Sequence, residues 1–548
     1  MRASRAVYVL LILAVVPGVP AAATDEAPLP RFVDITDGAG IDFVHSIGDD
    51  ELSNIVESSG SGCVFFDYDN DGDLDIYLVN GRYLKSVSSV RGRHLEGKLK
   101  NALYRNDGNG SFTDVSDKAG VGDTGFGMAA VSADYDNDGN RDLFVTNYDR
   151  DTLYRNNGDG TFTDVTKEAG VGSELWSVGA SFFDYDRDGL LDLFVGGYLV
   201  FDPEYRNYYA AEAFPGPLSY HGQKDTLYRN NGDGTFTDVS RAAKLDSTDG
   251  RGMGVSACDI DDDGDEDLYV ANDGMENYLY LNRGDGSFEE IALRTGTAFG
   301  QNGEATSAMG PEFGDFDGDG LIDLLVPDMG YGCLYRNTDK GYFEEKSAAM
   351  GVAAVLGQYT SWSGNFLDYD HDGVLDVFIV NGDAHHLEPE EDTLFRGENG
   401  KRFVDVSAKS GPAFKLKGVG RGSAAGDVDN DGDLDLLVLN LNGRARLYRN
   451  DGGNRGNWIM VRTVGTTSNS DGIGARVRLT AGGVSQVRDI RSSSGYLSQS
   501  DPRAHFGLGK HKKVDRIEVR WPNGRVSTLE NVKVNQVLTV TEPETKAK

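Results

Sequence analysis

The chain has 548 residues, enough for two to four domains of ordinary size. Its 88 Asp and Glu outnumber 53 Lys and Arg, a formal net charge of −35, which excludes the basic footprint that nucleic acid binding requires. Gly, at 72 residues, is the second excess, while 39% hydrophobic residues mark a globular composition and exclude an acidic disordered tail.

Residues 1–23 read as a secretory signal. Arg2 and Arg5 give a positive start, Ala6–Val16 an apolar run of 11 residues, and Ala21-Ala22-Ala23 a small-residue cleavage site. Pro17-Gly18 breaks the run, a membrane span needs about 20 apolar residues, and no later stretch reaches that length, so no transmembrane segment is expected. Export places the mature chain in the periplasm, on the cell surface or in the medium. Cys63, Cys258 and Cys333 are an odd set at wide spacing inside apolar runs and read as small buried hydrophobes, not as a disulfide framework.

Beyond residue 30 two motifs alternate. The pattern D-x-D-x-D-G-x-x-D begins at Asp67, Asp134, Asp184, Asp259, Asp315, Asp368 and Asp427, a mean period of 60 residues, and an apolar strand follows each copy. Between the copies, Leu-Tyr-Arg-Asn or a close variant begins at Leu103, Leu153, Leu227, Leu279, Leu334, Leu394 and Leu447, and most run through a Gly-rich turn into Phe-x-Asp/Glu, as in LYRNNGDGTFTDV at 153–165. Two apolar strands joined by Asn-Gly-Asp-Gly form a hairpin, because those residues tolerate positive φ. The last Leu-Tyr-Arg-Asn, at 447–450, lacks its Phe-x-Asp, whereas Phe32-Val33-Asp34-Ile35 lacks a preceding Leu-Tyr-Arg-Asn. A ring that pairs the two ends supplies the missing hairpin and leaves no open edge. The expected fold is all-β: a seven-bladed β-propeller over residues 30–452, with an open β-solenoid as the alternative.

Carboxylates at positions 1, 3, 5 and 9 of each loop converge on one point, Gly at position 6 permits the sharp turn, and an all-oxygen set in a flexible loop suits Ca²⁺. The candidate ligands are Asp67, Asp69, Asp71 and Asp75; Asp134, Asp136, Asp138 and Asp142; Asp184, Asp186, Asp188 and Asp192; Asp259, Asp261, Asp263 and Asp267; Asp315, Asp317, Asp319 and Asp323; Asp368, Asp370, Asp372 and Asp376; and Asp427, Asp429, Asp431 and Asp435. Position 12, a bidentate Glu in an EF-hand, is apolar in all seven copies, so helix-flanked EF-hands are excluded. Two unpaired carboxylates about 5 Å apart repel by about 3 kcal/mol at an effective dielectric of 20, so polar turns alone do not account for four in every loop. Up to seven structural Ca²⁺ ions are expected.

These loops resemble FG-GAP or VCBS-type propeller repeats, the class that also forms integrin α-subunit heads, and the resemblance places that family's calcium ligands on the same Asp residues. From Gly453 the composition turns basic, with 16 Lys and Arg against 8 Asp and Glu, and short alternating runs such as DRIEVRW (515–521) fit a small β-sandwich-like domain. Residues 457–542 are similar to the ASPIC/UnbV domain through SDGIGARVRLTAGG (470–483), RSSSGYLSQSDPRAHFGLG (491–509) and VDRIEVRWPNGRVSTL (514–529). That order of domains resembles the cartilage acidic protein 1 family, here a bacterial-type member without a Cys-rich tail. The resemblance implies a secreted calcium-binding protein and no particular reaction. Arg476, Arg478, Arg488 and Arg491 alternate along strands as a solvated face does, and docking of the basic module on the acidic propeller is a simpler reading than nucleic acid binding.

Two insertions depart from the period. Residues 82–100 carry six Lys and Arg against Glu96, and residues 198–222 gather Tyr205, Tyr208, Tyr209, Phe214 and Tyr220, which would stack on sugar rings, anchor a partner or pack over one propeller face. Asp383, His385 and His386 with Glu388, Glu390 and Glu391 are the one local grouping suggestive of a transition metal. No nucleophile elbow, phosphate loop or zinc-protease motif occurs, and no catalytic residue is assigned. Two functions compete: a monomeric extracellular binding or adhesion scaffold for protein or glycan ligands, and a lyase or dehydratase acting on carbohydrate or another small molecule in the propeller funnel. A sealed face favours the first, a convergent His/Arg/Tyr/Glu cluster the second.

Overall fold

The computed structural model describes residues 28–108, 110–205, 214–245, 249–339 and 341–544. The expected signal, residues 1–23, and Tyr208 and Tyr209 lie outside them. Seven antiparallel sheets form the blades of a β-propeller, each with four strands and one of them extended by the short strand Thr306–Ser307. Blade 1 comprises Cys63–Phe66, Asp75–Leu78, Ala102–Asn106 and Phe112–Asp114. Blades 2 to 6 repeat that order, beginning at Phe126, Ser177, Gly252, Glu312 and Ser361. Blade 7 takes three strands from Gly420–Gly426, Asp435–Asn440 and Arg446–Asp451, and its fourth is Arg31–Asp34, with Phe32 opposite Asn450. The first strands of successive blades touch one another around a complete circle, so they line the axis.

Burial explains the strand compositions. The second strand of blade 1 is buried at every residue and reads Asp-Ile-Tyr-Leu without alternation, as a strand covered on both faces must. The outer Phe-Thr-Asp strand buries only Phe112. Four outer strands run into one-turn helices that helical periodicity is too short to reveal: Ser116–Ala119, Thr166–Ala169, Ala292–Thr295 and Ser347–Met350. The signal for them was present, because Asp114 accepts the amide of Ser116 at 2.9 Å and Gly120 ends the turn at φ 77°. All three cysteines are buried and free.

The C-terminal segment forms two sheets. In one, Asn457–Val464 lies between Ala504–Gly509 and a parallel strand, Val537–Thr541. In the other, Val484–Asp489, Arg476–Ala481, Lys513–Arg520 and Val526–Lys533 form an antiparallel meander around one crossover. Their shared core, with Ile459, Val477, Phe506 and Ile517, continues into Val131, Phe182 and Leu193 of blades 2 and 3. The small domain is therefore packed onto the propeller.

Candidate metal loops and the channel plug

Each D-x-D-x-D-G-x-x-D copy joins the first and second strands of its blade, and all seven share one backbone course. Position 6 is a left-handed Gly, at φ 94° in Gly72 and 98° in Gly432. Position 4 is left-handed as well, occupied by Asn70, Asn137, Arg187, Asp262, Gly318, His371 and Asn430. Asn at three of these positions was the available sign of that second turn.

The four carboxylates of a loop do different work. At position 1, Asp134 accepts the amides of Asp138 and Gly139 at 3.0 and 2.8 Å. At position 5, Asp138 accepts the amide of Asn140 at 2.8 Å. At position 9, Asp142 accepts the amides of Tyr135 at 3.2 Å and Asn156 at 2.8 Å, tying its loop to the third strand. The other six position-9 residues, Asp75, Asp192, Asp267, Asp323, Asp376 and Asp435, each bind the corresponding two amides. Position 3 differs in three loops: Asp136, Asp186 and Asp370 each keep a buried Oδ1 without a hydrogen-bond partner, as Asp259 does at position 1. In at least five loops, three carboxylates bring one oxygen each within 4.8 Å of one another, among them Asp67, Asp69 and Asp71, and Asp184, Asp186 and Asp192.

Burial pushes the Asp75 carboxyl up to about 8 and Asp323 to about 9, and it holds Asp142, Asp192 and Asp267 well above the ordinary range, with neighbouring carboxylates adding to the effect. At about 8 and 9, Asp75 and Asp323 keep a proton at neutral pH unless a cation takes its place. Orphaned buried oxygens facing their own cluster, together with an all-oxygen donor set, fit a hard divalent ion. In three blades the Arg of Leu-Tyr-Arg-Asn already spans positions 3 and 5: Arg229 meets Asp186 and Asp188 at 2.8 and 3.1 Å, Arg396 meets Asp370 and Asp372 at 2.7 and 2.9 Å, and Arg336 pairs with Asp317 and Asp319.

The small domain sits on the loop face. Arg520 reaches Asp259 at 2.6 Å and Asp262 at 3.0 Å, Arg476 reaches Asp262 and Asp489 at 2.9 and 2.8 Å, and Ser470 donates to Asp134 at 2.5 Å. Arg476 is buried at this contact, and Arg491 pairs with Glu312 of blade 5 at 2.9 Å. The alternating arginines thus belong to the domain junction, which corrects the expectation of a solvated face.

Residues 489–501 leave this domain and enter the axial channel, bonding to the first strand of every blade. Gln499 bridges blades 1 and 2, accepting the Phe65 amide at 3.0 Å on its carbonyl and the Ser132 amide at 2.6 Å on Oε1. Ser492 accepts the Phe182 amide at 2.8 Å, and Asp489 accepts Cys258 Sγ at 3.1 Å. The Gly495 amide donates to Glu312 at 3.0 Å, the Tyr496 amide to Ser363 at 2.9 Å, and the Ala425 amide to Ser500 at 3.0 Å. At the far end Tyr496 donates its hydroxyl to the Ser59 carbonyl at 2.7 Å and packs on Trp362.

That far mouth is closed by the helix Ile55–Ser59 and by Tyr198, Leu199, Phe214 and Tyr220, which share one apolar cluster with Trp176, Trp362 and Tyr496. Buried Arg421 stacks 3.7 Å over Trp362 and donates to the carbonyls of Ser58, Gly420 and Asp383 at 2.9, 2.9 and 3.0 Å. In the grouping at 383–391, the Asp383 carboxylate accepts the amides of His385 and His386. In the 82–100 insertion, Arg91 and Lys100 pair with Glu51 and Asp117.

An acidic-loop β-propeller with an axial plug defines the structural class. FG-GAP-like repeat models match residues 67–145, 134–195, 218–270, 259–326, 315–379 and 368–438, and an ASPIC and UnbV model matches 465–547. The chain belongs to the FG-GAP-like repeat family and carries an ASPIC and UnbV domain. It is similar to cartilage acidic protein 1 of Xenopus tropicalis, at 28% identity over 54% of this chain and 45% of that one, and to the human protein of that name, at 27% over 56% and 46%. The matched region spans less than half the length of these relatives. Among solved structures, an Agrocybe aegerita lectin that recognises non-reducing terminal N-acetylglucosamine aligns over 63% of this chain and 79% of its own, with a TM-score of 0.37 and 16% identity.

Proposed function

We propose that this chain is an exported, calcium-loaded binding scaffold for protein or glycan ligands, with calcium in a structural role. The observation that carries the reading is the plug: the funnel where a propeller enzyme would hold substrate is filled by 489–501 and hydrogen-bonded to every blade. No described helix is long and apolar enough to cross a membrane. The Asp residues at positions 1, 3, 5 and 9 would hold the ions, each of which neutralises the mutual repulsion of its loop and fixes the turn between two strands.

Ligand binding is assigned to the cleft that the two domains leave open above blades 1, 2 and 7. It encloses about 580 Å³ between Asp71, Arg141 and Asn430 on the propeller and Arg462, Arg503 and Val537 on the small domain. Carboxylates and guanidinium groups beside apolar side chains suit a polyhydroxylated or mixed-polarity ligand. A glycan array and a turnover screen on the same calcium-saturated protein test the reading together. Binding that Arg462→Ala weakens, without turnover, is the expected result; turnover abolished by substituting Arg421 or Trp362 would overturn it.

A further inference from the structure

We propose that His371, Asp433 and His505 hold one transition-metal ion, Zn²⁺ by the nature of the donors, which pins the small domain to blades 6 and 7. The three come from separate parts of the chain: a blade 6 loop, a blade 7 loop and the strand Ala504–Gly509. Their Nε2 atoms, His371 to His505, stand 3.2 Å apart, and Asp433 Oδ1 lies 3.8 Å from His371 Nε2. Two donors bound to tetrahedral Zn²⁺ at 2.0–2.1 Å stand about 3.3 Å from each other, so the imidazole pair already has the required spacing and the carboxylate needs to close by about 0.5 Å. The Gly432 carbonyl, 3.2 Å from His505 Nε2, is placed to complete the set.

Comparison with the other loops shows what is unusual here. In three other loops position 4 touches position 7 of the next blade's loop: Asn70 donates to Asn140 at 3.1 Å, Arg187 pairs with Asp265 at 2.8 Å, and Asn430 donates to Asp73 at 2.6 Å. His371 and Asp433 occupy the same two positions, yet they stand apart, and Asp433 Oδ1 has no hydrogen-bond partner although its side chain is only 1% exposed. A third donor, His505, faces the gap from the small domain. Two imidazoles and a carboxylate form a borderline donor set that suits Zn²⁺ and differs from the all-oxygen loops that suit Ca²⁺. With no disulfide among three free cysteines, the ion supplies the cross-link between domains.

The test uses the full chain saturated with Ca²⁺ and titrated with Co²⁺, whose visible bands report tetrahedral geometry. One equivalent is expected to develop those bands and to be displaced by one equivalent of Zn²⁺, and Zn²⁺ is expected to raise the melting temperature. His371→Asn is the decisive variant, because Asn fills the same left-handed position in three other loops and the fold accepts it there. It should retain calcium-dependent melting and lose both the bands and the Zn²⁺ response, as should His505→Gln and Asp433→Asn, while exposed His511→Gln keeps them. Absence of tetrahedral Co²⁺ bands in the unaltered protein, or bands that survive His371→Asn, would overturn the site.

Discussion

Asn156, the last residue of its Leu-Tyr-Arg-Asn, donates from Nδ2 to the carbonyl of Tyr68 at 2.8 Å, in the acidic loop of the preceding blade. The same bond joins Asn230 to Tyr135, Asn282 to Tyr185, Asn337 to Ile260, Asn450 to Tyr369 and Asn106 to Val428, so one side chain per blade stitches the ring. Only blade 6 lacks it, with Gly397 in the Asn position; a Cβ there would meet the Leu375 carbonyl oxygen at 2.3 Å.

The stitch is expected to matter energetically, because its loss leaves a buried carbonyl unpaired. Asn156→Ala should lower stability by about 1–3 kcal/mol in urea unfolding. Asn157→Ala, whose side chain bonds only exposed Thr hydroxyls, should leave the midpoint nearly unchanged. Equal effects at the two positions would refute the stitch.

Chelation tests the loops, and a single substitution tests the sign. In calcium, Asp136→Asn should lower the melting temperature, because a ligand is lost. In excess EDTA it should raise it or leave it unchanged, because Asp136 is then a half-buried carboxylate beside Asp138. The metal-free chain should also lose stability as pH rises from about 4 toward 9. Folded Asp75 and Asp323 titrate near 8 and 9, far above an unfolded Asp, so across that window the native state holds protons that the unfolded state has released.

Tyr496 anchors the tip of the plug. Tyr496→Ala removes a fully buried ring and a hydrogen bond to Ser59, a change that should cost about 3–5 kcal/mol and expose the 489–501 segment to limited proteolysis. An unchanged digestion pattern would mean that the other plug contacts suffice.

Glu57 gives a pH test away from any metal loop. Its Oε2 accepts from Ser53, its Oε1 is unpaired, and burial pushes its carboxyl up to about 7. A raised folded pKa means no penalty below about 4.5 and a growing one as pH climbs to 7, on the order of 3 kcal/mol. Glu57→Gln should therefore stabilise the protein at pH 8 and have little effect at pH 4.5, as read by thermal melts at the two values.

The blade count, the ring closure and the four-carboxylate pattern were legible because each is written in local spacing and repeated seven times. The inter-blade Asn was also in plain view, at a fixed offset in six motifs, but a strand ending in Asn reads first as a turn signal. The plug was not legible. Cys63 and Ser498, which meet in the channel, are 435 residues apart, and small polar residues such as Ser492-Ser493-Ser494 read as a surface loop until the surrounding first strands offer them partners. For the same reason local His density drew attention to 383–391, while the imidazoles that meet, His371 and His505, lie 134 residues apart.

The axial segment also sets an order of assembly. All seven blades precede it in the chain, and it binds each of them, so a chain emerging N-terminus first completes its wheel before its axle exists. Until residues 489–501 arrive, Phe65, Ser132, Phe182 and Ala425 hold amides toward an unfilled bore, and the wheel is free to close around a wrong number of blades or around another chain. The axle has one set of partners on each of seven first strands, so its hydrogen bonds are all satisfied only in a ring of seven.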